Sequence, residues 1–530
     1  MLKNKVFLLF AVLLAACGKL PAIGLTSPTS GAAASPTAAE SAQAVESVSP
    51  ASVESNSLTY RIVDTDQIAC YDNNQLVACA GLGAAFAGQD GNYEGAMPAY
   101  RDNGDGSVSD LTTGLMWTKS ADLNGDGAIT ASDKLNLANA MSGAESSTAA
   151  GYDDWRLPTI KELYSLILFD GTDVSACPNG SCSATPFIDT LYFDFAYGDT
   201  AAGERVIDSQ FATSTKYVST TMNGDETMFG VNFADGRIKG YGLSMRGSDK
   251  TFFVLYVRGG SNYGQNAFVN NGDSTISDNA TGLVWSQADS GSGMNWESAL
   301  AYCEGSSAAG FDDWRLPNAK ELQSIVDYSR SPATSNSAAI DPIFSATSIT
   351  NEGGQVDYPF YWSSTTHADS SGSGSFAAYV SFGKALGYMN NWVDVHGAGA
   401  QRSDPKTGSA SEYPQGHGPQ GDAVRVENYV RCVRGGEAVY VLGNTTVSNR
   451  PSMTISDAGG TNLSGGQPAT GGTSGAGGTP PQQAIDACVG LTQGAACTIN
   501  TPNGILSGTC GTPPNSTQLA CMPAGGPPSP

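Results

Sequence analysis

The chain holds very little histidine. Only His367, His396 and His417 occur among 530 residues, so a histidine-rich metal centre or a histidine-centred triad has almost no material to work with. Cations are scarce too: 26 Lys and Arg stand against 50 Asp and Glu, a formal net charge of −24. That mean field repels nucleic acid and other polyanions unless a local basic face exists. Arg425, Arg431 and Arg434 are the only dense basic spot. Charged residues make up just 14% of the chain, while 65 residues are Gly, a balance that predicts a loop-rich exported protein rather than a helical cytosolic one. No apolar run after the N-terminal segment reaches the roughly 18 residues of a membrane-crossing helix. There is no P-loop, HExxH or GxSxG.

What is present begins with MLKNKVFLLFAVLLAAC, residues 1–17. Lys3 and Lys5 form a positive n-region, and Val6 to Leu14 a short apolar core. Leu14-Ala15-Ala16-Cys17 then resembles a bacterial lipobox, with Cys17 as the expected lipid attachment point. Gly18, rather than Asp, follows it, which implies anchoring in the outer membrane of a Gram-negative cell, on its surface or periplasmic face. Residues 18–57, rich in Ala, Ser, Pro and Thr, read as a disordered tether. Setting Cys17 apart from the 11 cysteines leaves an even number, which in an exported chain reads as disulfides. Spacing pairs Cys70 with Cys79 and Cys177 with Cys182. Cys488, Cys497, Cys510 and Cys521 form a terminal cluster of two bridges with three possible connectivities.

The chain also repeats itself. GYDDWRLPTIKEL at 151–163 returns as GFDDWRLPNAKEL at 310–322. NGDGSVSDLTTGLMW (103–117) matches NGDSTISDNATGLVW (271–285), KYVSTT (216–221) matches FYWSST (360–365), NFADGRIKGYG (232–242) roughly matches SFGKALGYM (381–389), and FFVLYVRGG (252–260) matches NYVRCVRGG (428–436). Blocks recurring in one order over so long a period mean duplicated domains. We therefore divide the chain into a small segment at 58–95, copy one at 96–260, copy two at 264–437, a Gly/Ser/Thr linker at 438–483 and a Cys-rich module at 484–524. The alignment sets Ala144 opposite Cys303 and Tyr256 opposite Cys432. Both thiols are absent from one copy and present in the other, which predicts the bridge Cys303–Cys432.

Thr159-x-x-Glu162 and Asn318-x-x-Glu321 are capping boxes that open a helix in each copy. The later blocks read as short strands, so each copy is α+β. Trp117, Trp155, Trp285, Trp314 and Trp362 are the expected structural residues. The Trp of WRLP, the Trp of GLxW and the terminal Val-Arg strand are expected to share one core. Arg156 and Arg315 are flanked by Asp153/Asp154 and Asp312/Asp313, which predicts ion pairs holding the loop.

These blocks together resemble the Lcl C-terminal domain family. The resemblance covers both copies and implies a fold similar to C-type-lectin-like and formylglycine-generating-enzyme-like domains in bacterial surface proteins. The family's namesake is an adhesin with collagen-like repeats that binds sulfated glycosaminoglycans. This chain has no Gly-X-Y tract, so no collagen stalk is implied.

Copy one alone carries DLNGDGAITASD, residues 122–133. Read as a twelve-residue EF-hand loop, it offers Ca²⁺ ligands at Asp122, Asn124, Asp126, the Ala128 carbonyl, Thr130 and Asp133, with Gly127 at the tight turn and Asp133 in the dockerin-like place of Glu. A lone structural Ca²⁺ loop is expected. The similar DNGDG at 102–106 puts Arg101 at the first ligand position and reads as a β-turn. Catalytic constellations are not apparent: Glu162 is used by its cap, and His367 has Asn223 as its counterpart in copy one. We expect a non-enzymatic surface protein that binds an extracellular glycan or protein, the alternatives being an envelope enzyme or a structural scaffold. Loops 365–380 and 389–424 are the candidate binding regions, with His367, Tyr379, Trp392 and Tyr413 as candidate ligand contacts.

Overall fold

The computed structural model describes residues 58–177, 181–441, 450–456, 487–488, 491–501, 504–512 and 519–523. Cys17 and the tether 18–57 lie outside the described residues, as does most of the linker. In copy one, β1 (Tyr100–Asp102), β2 (Ser107–Asp110) and β3 (Met116–Thr118) are joined by the NGDG and TTG turns. Gly104, Gly106 and Gly114 take φ of 75°, 88° and 74° there, which an L side chain resists. The DNGDG acids are turn formers, as expected: Asp105 accepts the Ser107 N–H at 3.0 Å. Then come α1 (Leu137–Ser146), α2 (Ile160–Tyr164), β4 (Gln210–Phe211), β5 (Lys216–Thr221), β6 (Asp225–Asn232), β7 (Arg237–Gly242) and β8 (Val257–Arg258).

Copy two repeats this plan with β9 (Phe268–Asn270), β10 (Thr275–Asp278), β11 (Leu283–Ser286), α3 (Trp296–Glu304), α4 (Ala319–Ser324), β12 (Phe360–Thr366) and β13 (Phe376–Ser381). A hairpin follows, β14 (Leu386–Tyr388) and β15 (Trp392–Asp394), then β16 (Gln401–Pro405) and β17 (Val433–Gly435). Each copy builds a four-stranded sheet, in the orders β8-β3-β2-β1 and β9-β10-β11-β17. Trp117 pairs Val257 in one, and Trp285 pairs Val433 in the other. The duplication reaches the dihedral level. Ala150 and Ala309 both sit at positive φ, 52° and 54°, and the Trp155 and Trp314 indoles donate to the Ala149 and Ala308 carbonyls at 2.9 and 3.0 Å. Both predicted capping boxes form.

The copies are fused rather than strung. β7 of copy one pairs with β16 of copy two through Ile238 and Gln401, making one seven-stranded sheet, β12-β13-β16-β7-β6-β4, with β5 also on β6. Below it lies one hydrophobic core drawing Trp117, Phe229 and Val257 from copy one and Trp285, Tyr361 and Val433 from copy two. The repeated lysines cross the seam reciprocally. Lys161 donates to the Ser324 carbonyl at 2.6 Å, and Lys320 donates to the Ser165 carbonyl at 2.9 Å. The leading segment of each copy also crosses: Lys320 reaches the Asp64 carbonyl, ahead of copy one, at 2.8 Å, and Lys161 the carbonyl of Gly264, the first residue of copy two, at 3.0 Å.

Several expectations are corrected. The counterpart of YWSST is not KYVSTT but residues 211–215. Ser214 N donates to the Pro158 carbonyl as Ser364 N does to that of Pro317, and Ile160 N and Ala319 N donate to the Thr215 and Thr365 hydroxyls. The strand after SFGK is likewise not the mate of RIKGYG; β16 is, and the β14–β15 hairpin is an insertion. Trp155 and Trp314 do not share the central core with Trp117 and Trp285. They pack in separate outer clusters, Trp155 with Tyr256 and Trp314 with Trp362 and Cys432, because neighbours along a strand face opposite ways: Val257 and Val433 point inward, Tyr256 and Cys432 outward. Arg156 and Arg315 pair not with their flanking aspartates but bidentately with the capping-box glutamates Glu162 and Glu321, at 2.5 to 2.6 Å. Asp154 and Asp313 instead hold Arg258 and Arg434 of the terminal strands at 2.5 Å. The linker contributes strands too: Val439–Tyr440 pairs with Tyr93–Glu94, and Met453–Ser456 with Ser181–Ala184.

Five disulfides form: Cys70–Cys79, Cys177–Cys182, Cys303–Cys432, Cys488–Cys510 and Cys497–Cys521. Where copy two has Cys303–Cys432, copy one packs Ala144 in the same cluster as Tyr256.

The two Arg–Glu pairs differ in burial. The Arg315 side chain is 4% exposed and that of Arg156 33%. Glu321→Ala therefore strands a buried cation and should destabilise the protein by about 3–5 kcal/mol. Glu162→Ala should cost clearly less, because water reaches Arg156. Urea unfolding of the two variants checks the ordering.

Candidate functional site

On the face of the shared sheet opposite the core, β7 and β16 bring charged residues of both copies together. Arg237 binds Asp173 at 2.7 Å and Asp235 at 3.5 Å, and Lys239 also pairs with Asp235. Asp422 takes His396 Nε2 at 3.0 Å and pairs with Arg402. His367 Nε2 lies 2.9 Å from the Asp235 carbonyl; a carbonyl only accepts, so Nε2 carries the proton. Its ring stacks on Phe187 of copy one at 5.5 Å. Burial, then the like charge of Arg237, pushes His367 down to about 4 against the pull of Asp173. Burial, with Arg402 and Lys239, holds His396 well below its usual range. Burial opposes ionisation of Asp173, yet Arg237 and His367 hold its carboxyl low. This seam is a buried ion network joined across the copies by His367, although Asp235 Oδ1, His396 Nδ1 and Arg402 Nη1 are left without hydrogen-bond partners among the described residues. Among the described residues, neither buried histidine hydrogen-bonds to a Ser, Thr or Cys.

Two expected ligand contacts are thereby corrected. His367 and Tyr379 are 3% and 2% exposed. β12 and β13 extend into this stretch at residues 365–366 and 376–380, so Tyr379 lies on a strand and stacks on Phe360 at 4.4 Å, while His367, directly after β12, is drawn into the seam. Trp362 is buried as expected, its indole donating to the Met294 carbonyl at 2.9 Å. Trp392 and Tyr413 do reach the surface, half-buried. Trp392 meets Tyr388 edge-on at 5.4 Å at the hairpin tip, and Tyr413 meets the exposed His417 ring at 6.0 Å. The two loops are tied into one face by Tyr388 N donating to the Gly421 carbonyl at 2.8 Å and Ala423 N to Leu386 at 2.9 Å. Gly421, at φ +63°, is required there, since a Cβ would sit 2.8 Å from the Tyr388 carbonyl oxygen. Sequence reasoning missed Tyr388; its place two residues before an Asn-Asn turn was the available signal. The basic spot dissolves. Arg425 binds Glu352 at 2.8 Å, Arg434 binds Asp313, and Arg431 is 1% exposed, donating to the Ser286, Gln287 and Ser345 carbonyls.

At 122–133 the acidic side chains fold into their own loop. Asp122 accepts the Gly125 and Gly127 N–H groups at 2.8 Å each, Asn124 that of Asp126 at 2.8 Å, and Asp126 that of Ala128 at 2.9 Å. Gly127 has the expected positive φ, 87°. No α-helix enters the loop, and a short 3₁₀ turn, Ala131–Asp133, leads out. Asp133 differs from expectation. It is buried, and its oxygens accept Leu123 N, Asn124 N and Thr130 N at 2.9 to 3.2 Å. It closes the loop on itself, leaving Asp122, Asn124, Asp126, Ala128 and Thr130 as the donor set that suits a hard cation. A sulfur cluster at Cys488, Cys497 and Cys510 offers no thiolate, since each is in a disulfide.

The sequence family described as the Lcl C-terminal domain matches residues 106–258 and 274–397. No curated protein and no solved structure matches the chain.

The seam predicts a pH response. A histidine whose folded-state pKa lies below its unfolded value of 6.5 adds stability above that value and loses it as pH falls towards about 4. The stability difference between the wild type and His367→Gln should therefore shrink as pH drops from 7.5 to 4. Thermal melts across that window check it, and a constant difference contradicts it.

Proposed function

The chain belongs to the Lcl C-terminal domain family through two tandem copies, and from that membership we propose that it is a non-enzymatic, surface-displayed binding protein. The observation that carries this reading is the division of labour in the fold. The repeated residues are consumed in fusing two copies into one sheet and core, while copy-specific insertions carry half-buried aromatic rings to the surface. Tyr388, Trp392, Tyr413 and His417 form that face, and planar rings beside hydrogen-bonding groups suit a sugar face or a protein partner. A lectin-like role for the doubled module is part of the same reading. The paired state of Arg425, Arg431 and Arg434 argues against a sulfated polyanion as the ligand.

Loop 122–133 would hold Ca²⁺ with Asp122, Asn124 and Asp126, supported by the Ala128 carbonyl and Thr130. The ion would supply a positive centre that relieves repulsion between the carboxylates and stiffens an insertion of copy one. A lipid on Cys17, through the tether 18–57, would hold the module at the outer membrane.

Three outcomes follow. Trp392→Ala with Tyr413→Ala should cut binding of the full chain to glycan or matrix-protein arrays by at least about tenfold while the chain stays folded by circular dichroism. Titrating Ca²⁺ into the EDTA-treated protein should give a saturable calorimetric signal that Asp122→Ala abolishes. Cys17→Ser should shift the protein from the membrane to the soluble fraction and remove metabolic labelling with palmitate.

A further inference from the structure

Each copy is preceded by a segment that crosses to the other, but the two segments differ in length, and the shorter one leaves a space. Over copy two, the longer leader is fully docked. Phe169 N donates to the Thr65 carbonyl at 2.7 Å. The Gln67 amide donates to the Phe169 and Thr366 carbonyls at 2.9 and 2.7 Å and accepts Thr366 N at 2.7 Å. The Thr365 hydroxyl donates to Asp90 at 2.5 Å.

The matching place over copy one is a cleft of about 390 Å³ between Thr159, Lys161 and Thr215 on one side and Asp327, Tyr328 and Asp341 on the other. The match is fixed by the backbone. Leu168 N donates to the Phe187 carbonyl as Asp327 N does to that of Ala339, so Tyr328 occupies the position of Phe169. Thr215 occupies that of Thr365, because each accepts the first amide of its helix, at 3.0 and 2.9 Å. The groups that the leader satisfies over copy two are bare here. Tyr328 N–H has no acceptor among the described residues, and neither does the Thr215 hydroxyl proton. Lys161 is not free: it is spent on Gly264, Asn266 and Ser324. The cleft wall also gains charge, with Asp327 where copy one has Leu168, and Asp341 beside it.

We propose that the copy-one cleft receives an extended, basic polypeptide segment of a partner protein, docking as Asp64–Gln67 dock over copy two. A backbone carbonyl of the segment takes Tyr328 N–H, an amide or carboxylate takes the Thr215 hydroxyl, and a Lys or Arg faces Asp327 and Asp341. The net charge of −24 steers cationic partners towards the protein. This rests on the binding-protein reading above, but names a different surface from the aromatic face, so the two can fail separately.

The probes are fluorescein-labelled peptides of this chain's own residues 61–69, RIVDTDQIA, and the same peptide with Asp66→Lys, titrated with the full chain and followed by anisotropy. The basic peptide should bind saturably and at least about tenfold more tightly than the parent. Gln265→Trp, at the exposed rim of the cleft, should abolish binding with no change in melting temperature. Array binding through Trp392 and Tyr413 should persist in that variant. Absence of saturation for both peptides up to about 1 mM, or binding indifferent to Gln265→Trp, overturns the proposal. So does a cleft that binds neutral oligosaccharide in a Gln265-dependent way and no peptide.

Discussion

Two lysines hold this architecture to its shape. Lys161 and Lys320 each leave their own copy and donate to a carbonyl at the end of the other copy's helix. A buried ammonium is tolerable only where acceptors surround it. Here two of the five acceptors, Ser324 and Ser165, end helices of the opposite copy, and Gly264, Asn266 and Asp64 come from the segments that cross the seam. Neither copy can satisfy its lysine alone, so the duplicated unit is complete only as a pair. The continuous sheet through Ile238 and Gln401 and the merged core follow from the same pseudo-twofold placement.

Fusing the copies relieves the repeated motif of any need to bind a ligand. Arg156 and Arg315 clamp the capping-box glutamates, Arg258 and Arg434 clamp the flanking aspartates, and His367 and His396 are absorbed by the seam. Recognition is left to what differs between the copies: the β14–β15 hairpin, the loop that closes on it, the loop at 122–133, and the cleft that the shorter crossing segment leaves open. Symmetry in the core and asymmetry at the rim are two consequences of one duplication followed by insertion.

Local chemistry was legible where it depends on neighbours in the chain. The capping boxes at Thr159 and Asn318, the NGDG turns and the positive φ of Gly127 could be read because hydrogen bonds across two or three residues decide them. The bridge Cys303–Cys432 was legible for a different reason, since comparing the copies showed two thiols gained together. The alignment of KYVSTT with YWSST failed because short strands of Ser, Thr and aromatics resemble one another, and only the bonds from Ser214 and Ser364 to the two prolines distinguish the true mates. His367 and Tyr379 were misjudged because a polar or aromatic residue in a Ser/Gly-rich stretch looks like a surface loop until its strand partners are known.

By itself the sequence determined the doubled α+β plan, its turns, its caps and its disulfide inventory, all of which rest on local backbone preferences or on internal repetition. Only the tertiary structure decided that the copies fuse, that each arginine chooses a glutamate six residues away over the aspartates beside it, and which aromatic rings reach the surface. Those outcomes depend on which groups burial deprives of water, and burial is set by contacts between residues hundreds of positions apart.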